Sequence, residues 1–451
     1  MYRLLLSIIF LAACSDIEKQ NGDNSLLLKN VTLIDGNGGQ PRVNTDILIQ
    51  GDTIRTIGSD LDGSGILSID YVGKTIMPAL ISGHTHIGNL KGTTTIAGNY
   101  TRENVLAQLN KYARYGVLDV LTMGTDRALL FENGFYDSIK NGLEPGARLY
   151  SAGRGFGTPA GMPPADFAMD NVFRPYGVDQ ARAQVDSLSK LKPALIKMWV
   201  DNSGGKFPTM DSAVSAAIIS EGKKYNLRTA SHVYYQRDAK RLIRDGLKII
   251  AHSIRDTIID DELLNLMKSN DVTYIPTLTL DEYAYVYAGK PSWLNDAFFR
   301  ESLEPGVYEK ISSEKYQEEI KNAPDYQKKI KAYENALRNL EKIFKAGITV
   351  VMGTDSGANP IRTQGFSEHL ELELMVKAGL TPLQAITAAT KNAARMLEIG
   401  NKTGTLESGK LADFIILENN PADNIRNTRS IVEVYKAGKK INRSSQGAVN
   451  P

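Results

Sequence analysis

Five histidines occur in 451 residues, so the place of each carries information. His84 and His86 follow the apolar run from Ile76 to Ile81. At a strand end, residues two apart project from the same face, so both imidazoles aim at one point. Converging neutral imidazoles are a metal-ligand arrangement. His232 ends the run Thr229-Ala230-Ser231, and His252 ends Ile249-Ile250-Ala251. Asp355 follows the apolar stretch from Ile348 to Met352 through Gly353 and Thr354, where a turn aspartate is the alternative. Lys197 lies inside Ala194-Leu195-Ile196-Lys197-Met198-Trp199-Val200, apolar on both sides. A buried ammonium without a partner costs several kcal/mol, roughly, so burial favours the neutral, nucleophilic amine. That amine can add to carbon dioxide and become a carbamate, an anionic two-oxygen ligand able to bridge two metal ions. The fifth histidine, His369, lies in a helical pattern and is expected to serve in packing.

These side chains need elements to hold them at one place. Apolar runs alternate with helical patterns from Ala79 onward, which predicts repeated βα units. The predicted strands are Ala79–Ser82, Leu118–Met123, Arg148–Ala152, Leu195–Val200, Thr229–His232, Ile249–His252, Thr273–Pro276 and Val350–Gly353. Eight strands predict an α/β fold of the TIM (β/α)8 type, whose active residues sit at the C-terminal strand ends. The histidines at strand ends fall there. Residues 301–346 read as a charged helical elaboration, either a wall of the site or a surface feature. A last helix is expected from Thr381-Pro382-Leu383-Gln384 to Gly400, opened by a capping box. Residues 26–78 and 399–445 read as short strands with hairpin signals at Gly51-Asp52 and Lys436-Ala437-Gly438-Lys439. Together they could form one small sheet domain built from both ends of the chain, beside a barrel over 79–398.

Composition narrows the function. Lys+Arg 53 against Asp+Glu 51 leaves a net charge of +2, so no basic excess drives nucleic-acid binding. A single cysteine excludes an internal disulfide and any cysteine-based metal cluster. That cysteine, Cys14, closes MYRLLLSIIFLAAC, with Arg3 as the positive segment and a short apolar core behind it. Residues 1–14 read as a signal peptide resembling a bacterial lipobox, with Cys14 lipidated and residues 15–25 as a polar tether. The expectation is an exported protein on the periplasmic side, held to a membrane by its N-terminal lipid alone, the outer membrane favoured by Ser15.

Met77-Pro78-Ala79-Leu80-Ile81-Ser82-Gly83-His84-Thr85-His86 resembles the first-strand motif of the amidohydrolase superfamily, with Ala79 and Ser82 where Gly and Asp are usual. Lys197, His232, His252 and Asp355 match, in order, that family's ligands on strands four, five, six and eight. Gly404-Thr405-Leu406-Glu407-Ser408-Gly409-Lys410-Leu411-Ala412-Asp413-Phe414 resembles its C-terminal motif. The resemblance implies a TIM barrel with a small β-sandwich made from both chain ends, and two divalent metals, zinc first and manganese or iron as alternatives, bridged by a hydroxide. His84 and His86 would bind the buried metal, His232 and His252 the outer one, and carboxylated Lys197 would bridge them. Asp355 would bind the buried metal and act as base, then acid. The match favours the prolidase and imidazolonepropionase-related branch. Deaminases of the family carry a glutamate three residues after the fifth-strand histidine, where this chain has Tyr235. Tyr234, in His232-Val233-Tyr234, resembles a tyrosine that holds the substrate carbonyl. Arg255 is a candidate for a substrate carboxylate, with a surface salt bridge as the alternative.

The expected activity is hydrolysis of an amide or dipeptide-like C–N bond in a small molecule. Lactone, ester or cyclic-amide hydrolysis by the same centre is the second reading, and a non-catalytic binding protein on the same scaffold the third. Homo-oligomer formation is left open.

Overall fold

The computed structural model describes residues 25–166 and 168–443. The expected signal peptide with Cys14, and residues 15–24 of the expected tether, lie outside the described residues. Among the described residues, no helix is long and apolar enough to cross a membrane.

Both ends of the chain meet in one sheet. Its N-terminal strands are Ser25–Leu33, Arg42–Gln50, Thr53–Gly58, Leu67–Asp70 and Thr75–Pro78, and its C-terminal ones Phe414–Leu417, Ile431–Lys436 and Lys439–Lys440. The join is antiparallel, with Met77 opposite Ile415 and Ile76 opposite Ile416. Both hairpin signals hold. Gln50 pairs with Thr53 across Gly51-Asp52, and Lys436 with Lys439 across Ala437-Gly438. Ala437 and Gly438 both have positive φ, 49° and 72°, as a tight two-residue hairpin turn requires. Leu28, Val31, Ile47, Ile49, Ile76 and Phe414 pack the sheet's buried face.

Between these ends the chain forms a TIM-barrel-like α/β fold. Leu80–Thr85, Val117–Thr122 and Arg148–Ser151 run parallel in one sheet. Ile196–Trp199, Thr229–His232, Ile249–Ala251 and Thr273–Ile275 run parallel in chain order in another. The first strand continues to Thr85, past its predicted end at Ser82, so His84 is part of it. Phe156 joins the two sheets, donating to the Lys197 carbonyl at 2.8 Å and accepting from Trp199 N at 2.9 Å.

The predicted eighth strand, Val350–Gly353, is not a regular strand. Val350 makes a single bridge to Tyr274. Val351 N donates to Tyr274 O at 3.0 Å, and Gly83 N donates to Met352 O at 2.8 Å. The segment is thus bonded on both sides but briefly. The segment runs close to its neighbours at Gly353, where a Cβ would sit 2.6 Å from Ile275 Cγ2 and 2.8 Å from His84 Cβ, so only glycine fits.

The predicted last helix is two helices, Pro382–Ala388 and Lys391–Met396. The capping box is present, with Gln384 N on Thr381 Oγ1 at 3.3 Å and Thr381 N on Gln384 Oε1 at 2.8 Å. The break has a cause in the neighbouring strands. Ala388 O accepts from Met352 N at 3.1 Å and Ala389 O from Ile81 N at 2.8 Å, so these carbonyls serve the barrel. The region 301–346 contains helices Val307–Ser312, Glu314–Lys321 and Tyr326–Lys345.

Candidate metal centre

The strand ends bring the candidate ligands together. One nitrogen of His84, one of His86 and one Asp355 oxygen all lie within 4.8 Å of one another, and all three residues are buried. Asp355 Oδ1 is 3.2 Å from His84 Nε2 and 3.0 Å from His86 Nε2. The ring centroid of His252 lies 4.5 Å from that of His84 and 4.3 Å from that of His232. The strand alternation expected for His84 and His86 is therefore realised, and three further strand ends close around them.

Hydrogen bonds decide which ring nitrogen of each histidine is left for a ligand. His86 Nδ1 pairs with Thr125 Oγ1 at 2.7 Å, leaving Nε2 toward Asp355. His252 Nδ1 pairs with Thr277 Oγ1 at 2.9 Å, leaving Nε2. His232 is reversed: its Nε2 is 2.5 Å from Asp201 Oδ2, leaving Nδ1. A partner on one ring nitrogen sets the tautomer and aims the other. His84 is wholly buried, its Nε2 faces Asp355 Oδ1 at 3.2 Å, and among the described residues its Nδ1 has no hydrogen-bond partner.

Burial sets the charge states. It lowers His84 to about 3, with the Lys197 charge adding to the effect. It lowers His252 well below the usual imidazole value, helped by His232 and His84, and lowers His232 against the opposing pull of Asp201. All three are neutral donors near pH 7. Burial alone would raise Asp201, but the His232 ring and the Ser203 amide hold it at about 2. Burial likewise opposes ionisation of Asp355, and the Arg362 guanidinium on Oδ2 overrides it, holding the carboxyl well below its usual range.

Lys197 is fully buried, and among the described residues its Nζ has no hydrogen-bond partner. The amine lies 5.0 Å from the Trp199 ring centroid. Burial lowers its pKa to about 7 despite the nearby charges of Asp355 and Asp201. A buried amine with neither a hydrogen bond nor an ion pair is rare enough to need a reason. The buried His84 Nδ1 raises the same question, and the Lys197 charge is close enough to act on that ring. Cations bound between these groups would answer both, so the donor set fits metal ions.

The backbone at three strand ends is held in the left-handed region: φ is 73° at His252, 50° at Thr277 and 58° at Asp355. Such conformations cost of order 1–3 kcal/mol each and persist where surroundings over-determine them. All three turn a side chain back toward the centre.

The centre floors a cavity of about 410 Å³. His86, His232, His252 and Asp355 line its base, and Met162, Pro163, Met169 and Leu280 an apolar wall. Tyr234 and Arg255 both line it, as the sequence suggests. Arg255 is not a surface residue: it is 7% exposed, its Nε is 2.7 Å from Asp281 Oδ1, and its guanidinium stacks 4.7 Å from the Tyr234 ring centroid. The surface salt bridge considered above is thus a buried one in the cavity wall. Lys328, Lys329 and Ala332 bring the Tyr326–Lys345 helix to the same wall, so the helical elaboration shapes the site. His369 is apart from it, bonded to Thr428 Oγ1 at 3.0 Å and Tyr115 O at 2.9 Å, and packs the fold as expected.

Sequence reading missed Asp201, Thr277, Thr125 and Arg362. Asp201 had a signal, since it follows Lys197 and Trp199 at two-residue steps. Thr277 also had one, directly after the seventh predicted strand. Nothing in the local sequence marks Arg362, which reaches Asp355 from the following loop.

Residues 75–441 match the model of the amidohydrolase family. Ochratoxinase from Aspergillus niger is 26% identical over 467 aligned residues, covering 90% of this chain and 84% of that protein. An imidazolonepropionase from Deinococcus deserti is 35% identical over 104 residues, 22% of this chain. Among solved structures, a Xaa-Pro dipeptidase with bound methionine superposes with a TM-score of 0.71 at 24% identity, covering 92% of this chain and 99% of that one. The A. niger ochratoxinase structure gives 0.69 at 21% identity, covering 95% and 99%. With the family model matched from the strand before the histidine pair to the last strands of the sheet, the chain belongs to the amidohydrolase family and is a hydrolase acting on carbon–nitrogen bonds.

Proposed function

We propose that the protein is a two-metal hydrolase that cleaves the amide bond between an acyl group and an amino or imino acid. One observation carries this reading: the Lys197 amine, wholly buried and unpartnered, stands among four histidines and Asp355. As the neutral amine it adds to carbon dioxide, forming an N–C bond and losing one proton from nitrogen. The resulting carboxylate gives the site its bridging anion. His84, His86 and Asp355 would hold one cation, His232 and His252 the other. Imidazole and carboxylate donors suit zinc, manganese or iron. Bound there, two divalent cations supply Lewis acidity to a water and to the substrate carbonyl.

The chain's own residues do the rest. Tyr234 and Arg255, fixed against each other and by Asp281, orient the substrate from the wall. The apolar face of Met162, Pro163 and Leu280 takes the acyl group and excludes water. Asp355 accepts the proton of the attacking water and returns it to the leaving nitrogen. Arg362 on its Oδ2 keeps this carboxylate a weak base, which favours the return. A structural neighbour that is a Xaa-Pro dipeptidase supports a bond of the dipeptide kind.

The proposal includes the architecture: a closed eight-stranded barrel beside a β-sandwich from both chain ends, supported by the bonds through Phe156 and Val350. It also includes Cys14 as a lipidated mature N-terminus on the periplasmic side, which rests on the N-terminal sequence alone.

Metal analysis followed by a substrate panel tests the reading. Two metal equivalents and turnover of N-acyl amino acids or Xaa-Pro dipeptides are expected. Turnover of lactones or cyclic amides alone would move the assignment to ring opening. A protein with no bound metal and no hydrolysis of any panel member would sink the catalytic reading.

A further inference from the structure

Behind the candidate ligands lies a carboxylate that no step above uses. Glu368, in the helix Phe366–Lys377, is completely buried. Its Oε1 accepts from Thr354 Oγ1 at 2.6 Å, Ser356 Oγ at 2.9 Å and Ser82 Oγ at 3.2 Å. Its Oε2 accepts from Gly365 N at 2.8 Å. Burial raises its pKa, the Thr354, Ser356 and Gly365 donors oppose that rise, and the four donors together match the lone-pair sites of the carboxylate form.

The donors come from telling places. Thr354 and Ser356 flank Asp355 on both sides. Ser82 precedes His84 by two residues on the same strand. The His84 carbonyl itself accepts from Thr354 N at 3.1 Å and Asp355 N at 2.9 Å. Ser356 Oγ also lies 2.8 Å from Thr354 Oγ1 and 2.7 Å from the Tyr112 hydroxyl, so the hydroxyls form one buried cluster around Glu368. One buried acceptor therefore ties the end of the first strand to the segment that presents Asp355. It does so where Asp355 adopts a φ of 58°, a backbone state that relaxes unless held.

We propose that Glu368 is the positioning residue that holds the Asp355 carboxylate against His84 and His86, and so builds the cation site of those three residues. The inference rests on the reading of those residues as metal ligands. An amide at position 368 cannot replace the carboxylate. Turned toward Gly365 N, its NH₂ sets donor against donor; turned toward the hydroxyls, it makes Ser82, Thr354 and Ser356 accept where they now donate, which reverses the network.

Cobalt(II) titration of the full chain, followed by visible absorption, tests this, alongside kcat and KM on the best substrate of the panel. The wild-type protein should take two equivalents. Glu368→Gln should weaken one equivalent by roughly 10–100-fold, as loss of a group orienting a ligand does, and leave the other in place. Its kcat should fall while KM holds, because the Tyr234–Arg255 wall is untouched. Ser82→Ala and Ser356→Ala, each removing one donor, should weaken the same equivalent by less. Both equivalents at wild-type affinity in Glu368→Gln would overturn the proposal. So would loss of both equivalents and of substrate affinity in step with thermal stability, which marks a core residue only. If Glu368→Gln does not fold, the two serine variants decide, and wild-type cobalt affinity in both overturns it. A wild-type protein that binds no cobalt removes the ligand reading itself, and this proposal with it.

Discussion

Asp201 Oδ2 and His232 Nε2 stand 2.5 Å apart, and the contact leaves the other imidazole nitrogen, Nδ1, as the one available to a cation. Asp201 comes from the segment that carries Lys197, so one stretch of chain supplies both the amine and the group orienting a neighbouring histidine. Asp201→Ala would free the ring to rotate and to change tautomer. Metal affinity should drop roughly 10–100-fold. Competition with a chromophoric chelator measures this, and an unchanged affinity would show that Asp201 merely fills its pocket.

Lys197→Ala removes the amine that nothing else in the structure satisfies. The variant should lose activity and at least one metal equivalent. Short carboxylic acids should restore part of both, because they supply the missing two-oxygen anion in the vacated space. Full metal occupancy with normal turnover in the variant would remove the bridged two-metal reading.

What the sequence displayed and what it hid divide along physical lines. His84, His86, His232 and His252 were legible because strand ends are marked by apolar runs, and the chain has few histidines to confuse the pattern. Lys197 was legible because a charge inside an apolar strand conflicts with its surroundings. The eighth strand is only partly formed: its apolar run lies where expected and is bonded on both sides, but it pairs through a single bridge at Val350, and the length of a pairing is not written in an apolar run. The break at Ala388–Ala389 was invisible for a similar reason: the helix pattern is good, and only the barrel's claim on those carbonyls interrupts it. Arg362 and Glu368 act through contacts from loops and helix faces far along the chain, where spacing carries no signal.

Glu371 gives a pH dependence to stability. It is wholly buried, accepts from Leu278 N and Thr279 N at 2.8 Å each, and braces the turn that follows Thr277. Burial pushes its pKa from 4.5 up to about 8, and the two amides only moderate that rise. The folded state therefore binds this proton more tightly than the unfolded chain. Between pH 4.5 and about 8, rising pH takes the proton from the unfolded chain first, so stability should fall across the window. The slope from one such group is at most about 1.4 kcal/mol per pH unit. Below the window both states are protonated and the contribution levels off. Urea unfolding at several pH values, compared between wild type and Glu371→Gln, reads the effect. The variant should show a flatter profile, and an identical slope in both would mean Glu371 is ionised throughout.

Asp355 is the residue on which binding and proton transfer meet. Its Oδ1 faces two imidazoles and its Oδ2 faces Arg362, so the carboxylate is fully ionised before any substrate arrives. Asp355→Asn keeps the shape and one ligating oxygen. It cannot take a proton from the attacking water, and its NH₂ meets either a ring nitrogen or the guanidinium. Loss of one positioned acid–base group should lower turnover roughly 10²–10⁴-fold. Metal content should fall less than in His84→Ala, because an amide oxygen still ligates weakly while a missing imidazole does not. The contrast between the two variants separates the roles. If turnover in Asp355→Asn only tracks its metal content, and returns to near wild type when excess metal refills the site, then Asp355 is a ligand alone and another group moves the proton.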